Sequence, residues 1–189
     1  GIDTMIAEWT PTRAAINYNA NPPAGRTAGG QGTANWTGHT GDTQAIGANG
    51  WTVDGYTFIG WNTSADGKGT AYAPGTTWIA NGTLTLYAQW TPGQAGPTYD
   101  GNGATGGKTD PQPGKTDEKI NVRDNGYTRD GYMFVTWNTQ AGCKGKAVDP
   151  GDEWTLQGSG TLYACWAGTV QTLAYHGNGA TGGYTAVQS

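Results

Sequence analysis

Short stretches of alternating apolar and polar residues run along the chain, and turn-forming residues separate them. Residues 56–61 read YTFIGW and residues 132–137 read YMFVTW, so in each stretch a tyrosine and a phenylalanine fall on one face of an extended strand. Residues 84–90 (LTLYAQW) and 161–166 (TLYACW) are apolar on both faces, which is typical of a central strand. Because no dozen residues show the apolar spacing of a helix, the pattern predicts a mostly β fold with little or no helix.

These strands belong to a block that occurs twice. Residues 51–90 align without a gap with residues 127–166 at an offset of 76, and 21 of the 40 positions are identical. Besides turn residues, the shared positions are large apolar side chains, which predict a common core in each copy. The predicted core residues are Tyr56, Phe58, Trp61, Trp78, Leu86, Tyr87 and Trp90, with their counterparts Tyr132, Phe134, Trp137, Trp154, Leu162, Tyr163 and Trp166.

Gly60 bears on the direction in which Trp61 points. In a regular strand Trp61 would face away from Phe58, whereas a β-bulge at Gly60 would bring both rings to one face. Thr136 stands at the matching position of the second copy, which therefore lacks the glycine on which such a bulge could depend.

The period divides the chain into two complete units and parts of two others. We expect residues 14–91 to form repeat unit one and residues 97–167 to form repeat unit two, each close to the smallest size that one apolar core can sustain. Residues 1–11 would be the last strand of a preceding repeat, and residues 169–189 the first strand and loop of a following one. If these end strands are ordered, we expect them to pack with the adjacent unit or to pair between molecules. The predicted Pro/Gly linkers are residues 91–97 and 167–171.

Composition narrows the range of partners. The net charge is −4, only 13% of the residues are charged, and no basic run is present, which argues against a nucleic-acid partner. No apolar run approaches the length of a membrane span, so we expect no membrane insertion of this stretch. The 34 glycines suit tight turns, and the nine tryptophans and ten tyrosines supply large apolar area to small cores.

Two glycine-rich stretches match a phosphate-binding motif by letter only. The string GNGATG at 101–106 and 177–182 fits G-x-G-x-x-G. That motif requires a helix to begin at its last glycine, and KTDPQP follows the first copy. We interpret both strings as turns whose residues adopt positive φ.

Groups for catalysis or metal binding are few. The histidines are His39 and His176, and His176 stands at the position of Asp100, which indicates a turn residue. The glutamates do not recur in pairs, as two glycosidase carboxylates would. Asp100, Asn102 and Asp110 flank a glycine-rich loop, but calcium usually takes six to eight oxygen ligands. We predict no enzyme activity, no catalytic residue, no metal and no cofactor.

The cysteines Cys143 and Cys165 both lie in the second unit. Their counterparts in the first unit are Gly67 and Gln89. A pair that is present together in one copy and absent together from the other favours a disulfide, which would imply an oxidising compartment. The alternative is two unrelated cysteines, with Cys165 as a small apolar residue on a strand.

Trp36 and Tyr184 are the candidate ligand contacts. Trp36 aligns with Gln112 and is the one tryptophan without an aromatic counterpart, so it is a candidate for exposure. Exposed tryptophans and tyrosines stack on sugar rings in carbohydrate-binding proteins. The alternative is that Trp36 packs in the core like the other aromatics.

Three sequence motifs together resemble a known family. Residues 99–107 (YDGNGATGG), 55–63 (GYTFIGWNT) and 84–90 (LTLYAQW) are similar to the Listeria–Bacteroides repeat, the B-repeat class of internalin B. The resemblance implies tandem small β-grasp-like domains in extracellular arrays on a bacterial cell wall, without catalytic residues. Residues 68–84 lack the Lys/Phe-containing segment associated with the family helix, so we expect that helix to be shortened or absent.

The expected role is therefore that of a cell-surface protein. The leading hypothesis is a stalk or spacer that also forms an adhesion region, with neighbouring repeats and host or microbial surface glycans or proteins as partners. The alternative is a carbohydrate- or host-glycan-binding module that uses exposed aromatics. A hydrolase is the least favoured hypothesis.

Overall fold

The computed structural model describes residues 10–170 and Gly182. The regular secondary structure in this part of the chain consists entirely of strands, so the prediction of a mostly β fold with little or no helix is confirmed. The chain forms two compact units, Gly1–Gly93 and Gln94–Ser189. The predicted end strands at 1–11 and 169–189 lie, except for their innermost residues and Gly182, outside the described residues, and so does Tyr184.

Unit one is built on a mixed five-stranded sheet. Its described strands are β1 (Arg13–Asn19), β2 (Ala28–Gly30), β3 (Trp36–His39), β4 (Thr43–Ala45), β5 (Trp51–Val53), β6 (Tyr56–Asn62), β7 (Ala71–Tyr72), β8 (Thr77–Ile79) and β9 (Thr83–Pro92). The sheet has the order β3-β1-β9-β6-β7, and β2–β5 and β4–β8 form two-stranded ribbons. The central pair, β1 and β9, is parallel, and the other neighbours in the sheet are antiparallel.

Unit two repeats this arrangement. Its described strands are β10 (Gln94–Asp100), β11 (Gly106–Gly107), β12 (Gly114–Lys115), β13 (Lys119–Asn121), β14 (Tyr127–Thr128), β15 (Tyr132–Asn138), β16 (Ala147–Val148), β17 (Glu153–Thr155) and β18 (Ser159–Gly168). The sheet order is β12-β10-β18-β15-β16, with ribbons β11–β14 and β13–β17. The strands rich in apolar residues on both faces, β9 and β18, are the central strands, as their sequence pattern predicts.

The linker predicted at residues 91–97 is wrong. Pro92 ends β9 and Gln94 begins β10, which leaves Gly93 between the two strands. Pro97 fits inside β10 because the amide of the preceding Gly96 donates towards β18, to the Gly158 carbonyl at 3.0 Å. The nitrogen of Pro97 therefore faces the other side, where β12 pairs only with Gln94 and Ala95, and no ladder hydrogen bond is lost. The start of the second predicted linker, 167–168, belongs to β18.

Both units contain a bulge that redirects a tryptophan. The register of β6 against β9 shifts between Phe58 and Gly60, and Phe58 and Trp61 then share the core side with ring centroids 5.1 Å apart. The same shift occurs between Phe134 and Thr136. Gly60 adopts φ 143°, whereas Thr136 holds its bulge without a positive φ and donates its hydroxyl to the Val148 carbonyl at 3.1 Å. The bulge in unit two therefore does not depend on glycine.

The bulged tryptophans are the centre of each core. Trp61 is 1% exposed and Trp137 is fully buried. Their indole N–H groups donate to the carbonyl oxygens of Gly47 at 3.0 Å and Arg123 at 2.9 Å. A buried indole donor needs such a partner, because an unsatisfied polar group costs about 1–3 kcal/mol. The hydrogen bond thus ties the loop after β4 or β13 to the middle of the sheet.

Four of the predicted core residues are corrected. The tryptophans, phenylalanines and leucines of the prediction lie in or against the two core clusters, whereas the tyrosines do not. Side chains alternate along a strand, so the tyrosines that directly follow the buried leucines of β9 and β18 point to the opposite face of the sheet. The other two begin β6 and β15, each beneath an arginine guanidinium. The four are Tyr56, Tyr87, Tyr132 and Tyr163.

The Asn-Gly pairs mark turns in which the backbone approaches another strand closely. The Asn125 side-chain oxygen accepts from the Tyr127 amide at 3.0 Å, and Asn49 holds Trp51 in the same way. A Cβ added to Gly126 would overlap the Lys108 carbonyl oxygen. Only glycine leaves room for this contact.

We therefore expect Gly126→Ala to lower the free energy of unfolding of unit two by about 3 kcal/mol, because the β11–β14 ribbon must separate to admit a methyl group. Urea denaturation followed by tryptophan fluorescence measures this change. The control is Gly142→Ala, whose added Cβ has no neighbour within 4 Å; it should stay within about 0.5 kcal/mol of the parent. Equal effects of the two substitutions would contradict the close-approach explanation.

Candidate functional site

The two units differ in their packing beside one tryptophan of the core, Trp78 in unit one and Trp154 in unit two. In unit one Trp36 packs edge-on against Trp78, with ring centroids 6.1 Å apart and planes at 90°. The Trp36 ring also lies directly over Gly38, where a Cβ would overlap the indole. Trp36 is consequently half-buried and covers Trp78, which is 8% exposed.

In unit two a different residue fills the equivalent space. Gln112 takes the place of Trp36, and Leu156 takes the place of Ala80. Leu156 is 1% exposed, and its Cδ1 lies 2.6 Å from the position that a Cβ on Gly114 would take. A large side chain from β3 in unit one is therefore replaced in unit two by a leucine that follows β17.

Gln112 turns instead to the hydroxyl of Tyr99. That hydroxyl donates to Gln112 Oε1 at 2.8 Å and accepts from the Arg123 amide at 3.1 Å. Burial raises the pKa of Tyr99, and the Arg123 amide hydrogen bond opposes this effect in part. The phenol is thus a neutral hydrogen-bonding group that joins β10 to the loop after β13.

A cleft opens in unit two where unit one is filled. Leu84 packs against the core of unit one, and its counterpart is Gly160, at which an added Cβ would meet no atom within 4 Å. The cleft has a volume of about 350 Å³. Its lining residues are Pro97, Thr139, Trp154, Leu156, Gln157, Gly158, Ser159, Gly160, Thr161 and Leu162.

None of the described residues that line the cleft has an ionisable side chain. The walls are the indole of Trp154 and apolar carbons, and the rim carries amide and hydroxyl groups. Trp154 is half-buried, in contrast to the buried Trp78. The arrangement can hold an uncharged ligand with one apolar face.

A disulfide holds the turn on one side of the cleft. Cys143 and Cys165 are bonded, with Cα atoms 6.0 Å apart, so that residues 139–146 are tied to β18. In unit one the equivalent turn has no disulfide, and a hydrogen bond from Gln89 Nε2 to the Ser64 carbonyl at 3.3 Å joins it to the central strand. Cys143 adopts φ 56°, the conformation of Gly67 in unit one. Forming the disulfide therefore places a non-glycine residue in a backbone conformation that is strained for it.

Asp100 and Asn102, two of the candidate calcium ligands, have a structural role. The backbone amide of Asn102, a residue with φ 46°, donates to Asp100 Oδ1 at 2.7 Å. The side-chain amide of Asn102 donates to the Ala141 and Ala164 carbonyls, each at 2.8 Å. Asn21 makes the equivalent contacts in unit one. Among residues 10–170 and Gly182, no three His, Cys, Asp or Glu side chains are grouped as they would be to hold a metal ion.

The predicted ligand contacts have different outcomes. Trp36 is half-buried against the core, and a ligand role for it stays a prediction. Trp154 was expected only as a core residue, yet it lines the cleft. The signal for the cleft was present in the alignment of the units, because Gly160 for Leu84 and Gln112 for Trp36 both remove large apolar groups near one tryptophan.

The family model of the Listeria-Bacteroides repeat domain matches residues 16–89 and 98–165. These two matches cover more than half of the chain, and the chain belongs to this family. The resemblance seen in the sequence motifs is therefore confirmed.

Two relatives come from the bacterium Evansella cellulosilytica. One, whose name describes it as a Gly-rich membrane protein, is 33% identical over 133 residues, which are 66% of this chain and 15% of that protein. The other, whose name describes it as a membrane protein, is 32% identical over 124 residues, which are 64% of this chain and 18% of that protein. The chain thus spans less than a fifth of either relative.

No solved structure matches the chain significantly. In the described residues no helix is long and apolar enough to cross a membrane.

The disulfide generates a prediction about stability. Changing Cys143→Gly and Cys165→Gln together, the residues of unit one, should lower the free energy of unfolding of unit two by about 3 kcal/mol, since the unfolded chain regains the freedom of the loop that the bond closes. Denaturation with and without a reducing agent measures the effect. The double variant serves as its own control and should not respond to the reductant. An unchanged parent after complete reduction would refute the prediction.

The exchange of side-chain volume generates a second prediction. Trp36→Gln should destabilise unit one by about 2 kcal/mol, because Trp78 and the space over Gly38 lose their cover. Adding Ala80→Leu should recover at least about 1 kcal/mol, since a leucine fills this space in unit two. The four unfolding free energies of a double-mutant cycle test this. Simple additivity of the two changes would show that the positions do not compensate.

Proposed function

We propose that this chain is part of an extracellular repeat array that acts as a stalk or spacer on a bacterial cell wall and forms an adhesion region. The observation that carries the proposal is the repetition itself. Two units have the same sheet and the same aromatic core, and only Gly93 separates β9 from β10. Adding repeats therefore adds folded length with little intervening chain.

Three further observations support a surface location. The chain belongs to a bacterial repeat family, and its relatives' names describe membrane proteins. The disulfide of unit two suits an oxidising environment outside the cytoplasm. The partners in this proposal are neighbouring repeats together with host or microbial surface glycans or proteins.

The fold that fits this proposal is a β-grasp without its helix. In a β-grasp sheet the first and last strands run parallel in the centre, and a hairpin partner flanks each of them. The orders β3-β1-β9-β6-β7 and β12-β10-β18-β15-β16 fit this description. The ribbons β4–β8 and β13–β17 contribute Trp78 and Trp154 to the cores, and in this proposal they take the place of the β-grasp helix.

We further propose a structural and binding role rather than catalysis. The positions shared by the two units are core residues and turn glycines, which serve folding. Some of the differences between the units alter the packing beside Trp78 and Trp154, and the described groups that line the resulting cleft are uncharged.

The spacer role can be tested on intact bacteria that produce the parent protein with an epitope tag placed after the repeats, on the side away from the cell. Strains would carry the natural repeats, a duplicated copy of residues 10–170, or a deletion of them. Antibody binding to the tag should rise with the number of repeats, because a longer spacer lifts the tag through the cell wall.

Two results would count against the proposal in different ways. Staining that requires permeabilised cells would refute the surface location. Staining of intact cells that is independent of repeat number would refute the spacer role while leaving the location in place. A tag placed before the repeats is the control, since its accessibility should not change.

A further inference from the structure

We propose that the cleft beside Trp154 in unit two is a binding site for a neutral saccharide, and that unit one lacks such a site. This inference does not depend on the spacer role, because a spacer requires only that the units fold. It concerns a difference between two units whose sheets have the same arrangement of strands.

The shape of the cleft suits one or two sugar rings. Its volume of about 350 Å³ lies within the range of about 300–1,000 Å³ found for small-ligand pockets. Trp154, Leu156, Leu162 and Pro97 supply apolar walls. A pyranose ring presents a face of C–H groups that packs on an indole, and its hydroxyl groups point outward from the ring edge.

Residues at the rim of the cleft can form hydrogen bonds with those hydroxyl groups. Gln157 and Ser159 line the cleft and are exposed, and neither side chain makes a hydrogen bond to any described residue. A glutamine amide donates and accepts, and a serine hydroxyl does both, so together they complement a sugar hydroxyl in either sense. Thr139 is held in place, because its hydroxyl accepts from the Lys146 amide at 2.9 Å.

Charge selects among saccharides. The lining has no ionisable side chain, and the chain carries a net charge of −4. A sulfated or carboxylated sugar would lose hydration without a cation among the lining residues, because the Lys146 ammonium group lies near the Trp154 ring but outside the lining. The occupant that fits is therefore a neutral hexose or N-acetylhexosamine unit.

The walls of the cleft are fixed before a ligand arrives. Trp154 lies in β17, which pairs with β13, and its ring is also held by the Lys146 ammonium group, 4.6 Å from the centroid, which is not part of the lining. The Cys143–Cys165 bond holds the turn that carries Thr139. A preformed site loses less conformational freedom on binding.

Unit one has no space at the equivalent place. Leu84 stands where unit two has Gly160, and Trp36 covers Trp78. Refilling the cleft by Gly160→Leu imitates unit one. The substitution is compatible with the fold, because Gly160 does not adopt a positive φ and its Cβ would enter open space.

The test is an NMR titration of the whole 189-residue chain with cellobiose, maltose and N,N′-diacetylchitobiose, following the indole N–H resonances of the tryptophans. The Trp154 resonance is assigned by its loss in Trp154→Phe. We expect at least one disaccharide to shift it with a Kd on the order of 1 mM. Gly160→Leu should weaken this binding by at least about tenfold, and Gln157→Ala should weaken it with the fold unchanged.

The matched control is Gly168→Leu, which places a leucine at an exposed, uncrowded position of the same strand and should leave binding unchanged. A sulfated heparin disaccharide is the anionic probe and should not shift Trp154. The proposal is overturned if none of the three neutral disaccharides shifts Trp154, if Gly160→Leu binds like the parent, or if the anionic probe alone binds.

Discussion

Each unit depends on one tryptophan that the chain must bury together with its N–H group. Trp61 and Trp137 reach the core only because a bulge offsets them from the regular alternation of the strand. Their indoles then contact a tyrosine and a phenylalanine, and each donates to a loop carbonyl. A small domain has few apolar residues. One large aromatic ring at its centre therefore provides much of the apolar contact that holds the two-stranded ribbons against the sheet.

This constraint explains where the units are alike and where they can differ. The ring contacts of the central tryptophan recur as aromatic contacts, from a tyrosine and a phenylalanine in both units and from Trp51 or its counterpart Tyr127. The asparagines that join the opening loop to the central strand recur as well. At the edge of the core the requirement is only that space be filled. Trp36 with Ala80 satisfies it in one unit, and Gln112 with Leu156 in the other. The exchange of Leu84 for Gly160 lacks such compensation, and a cleft is the consequence.

The turn that borders the cleft shows a similar freedom. In unit one it is held by hydrogen bonds and a glycine at positive φ, and in unit two by a disulfide at the same two positions. Both solutions place the turn against the central strand. The covalent solution adds stability that does not depend on side-chain packing, in the unit whose core is less completely filled.

The sequence by itself determined the longer strands, the presence of two units, their family and most of the core, because alternation and a repeated aromatic pattern report directly on burial. It also identified the cysteine pair as the chemical difference within the repeated block. The tertiary structure decided the rest. Strand alternation placed Tyr87 and Tyr163 outside the core, whereas Tyr56 and Tyr132 begin their strands beneath arginine side chains. A threonine hydroxyl supports a bulge without glycine, and Pro97 fits into a strand at a position predicted to be a linker. The cleft at Trp154 also depends on Pro97, which is distant in the sequence from Leu156 and Gly160 and becomes their neighbour only when β10 pairs with β18.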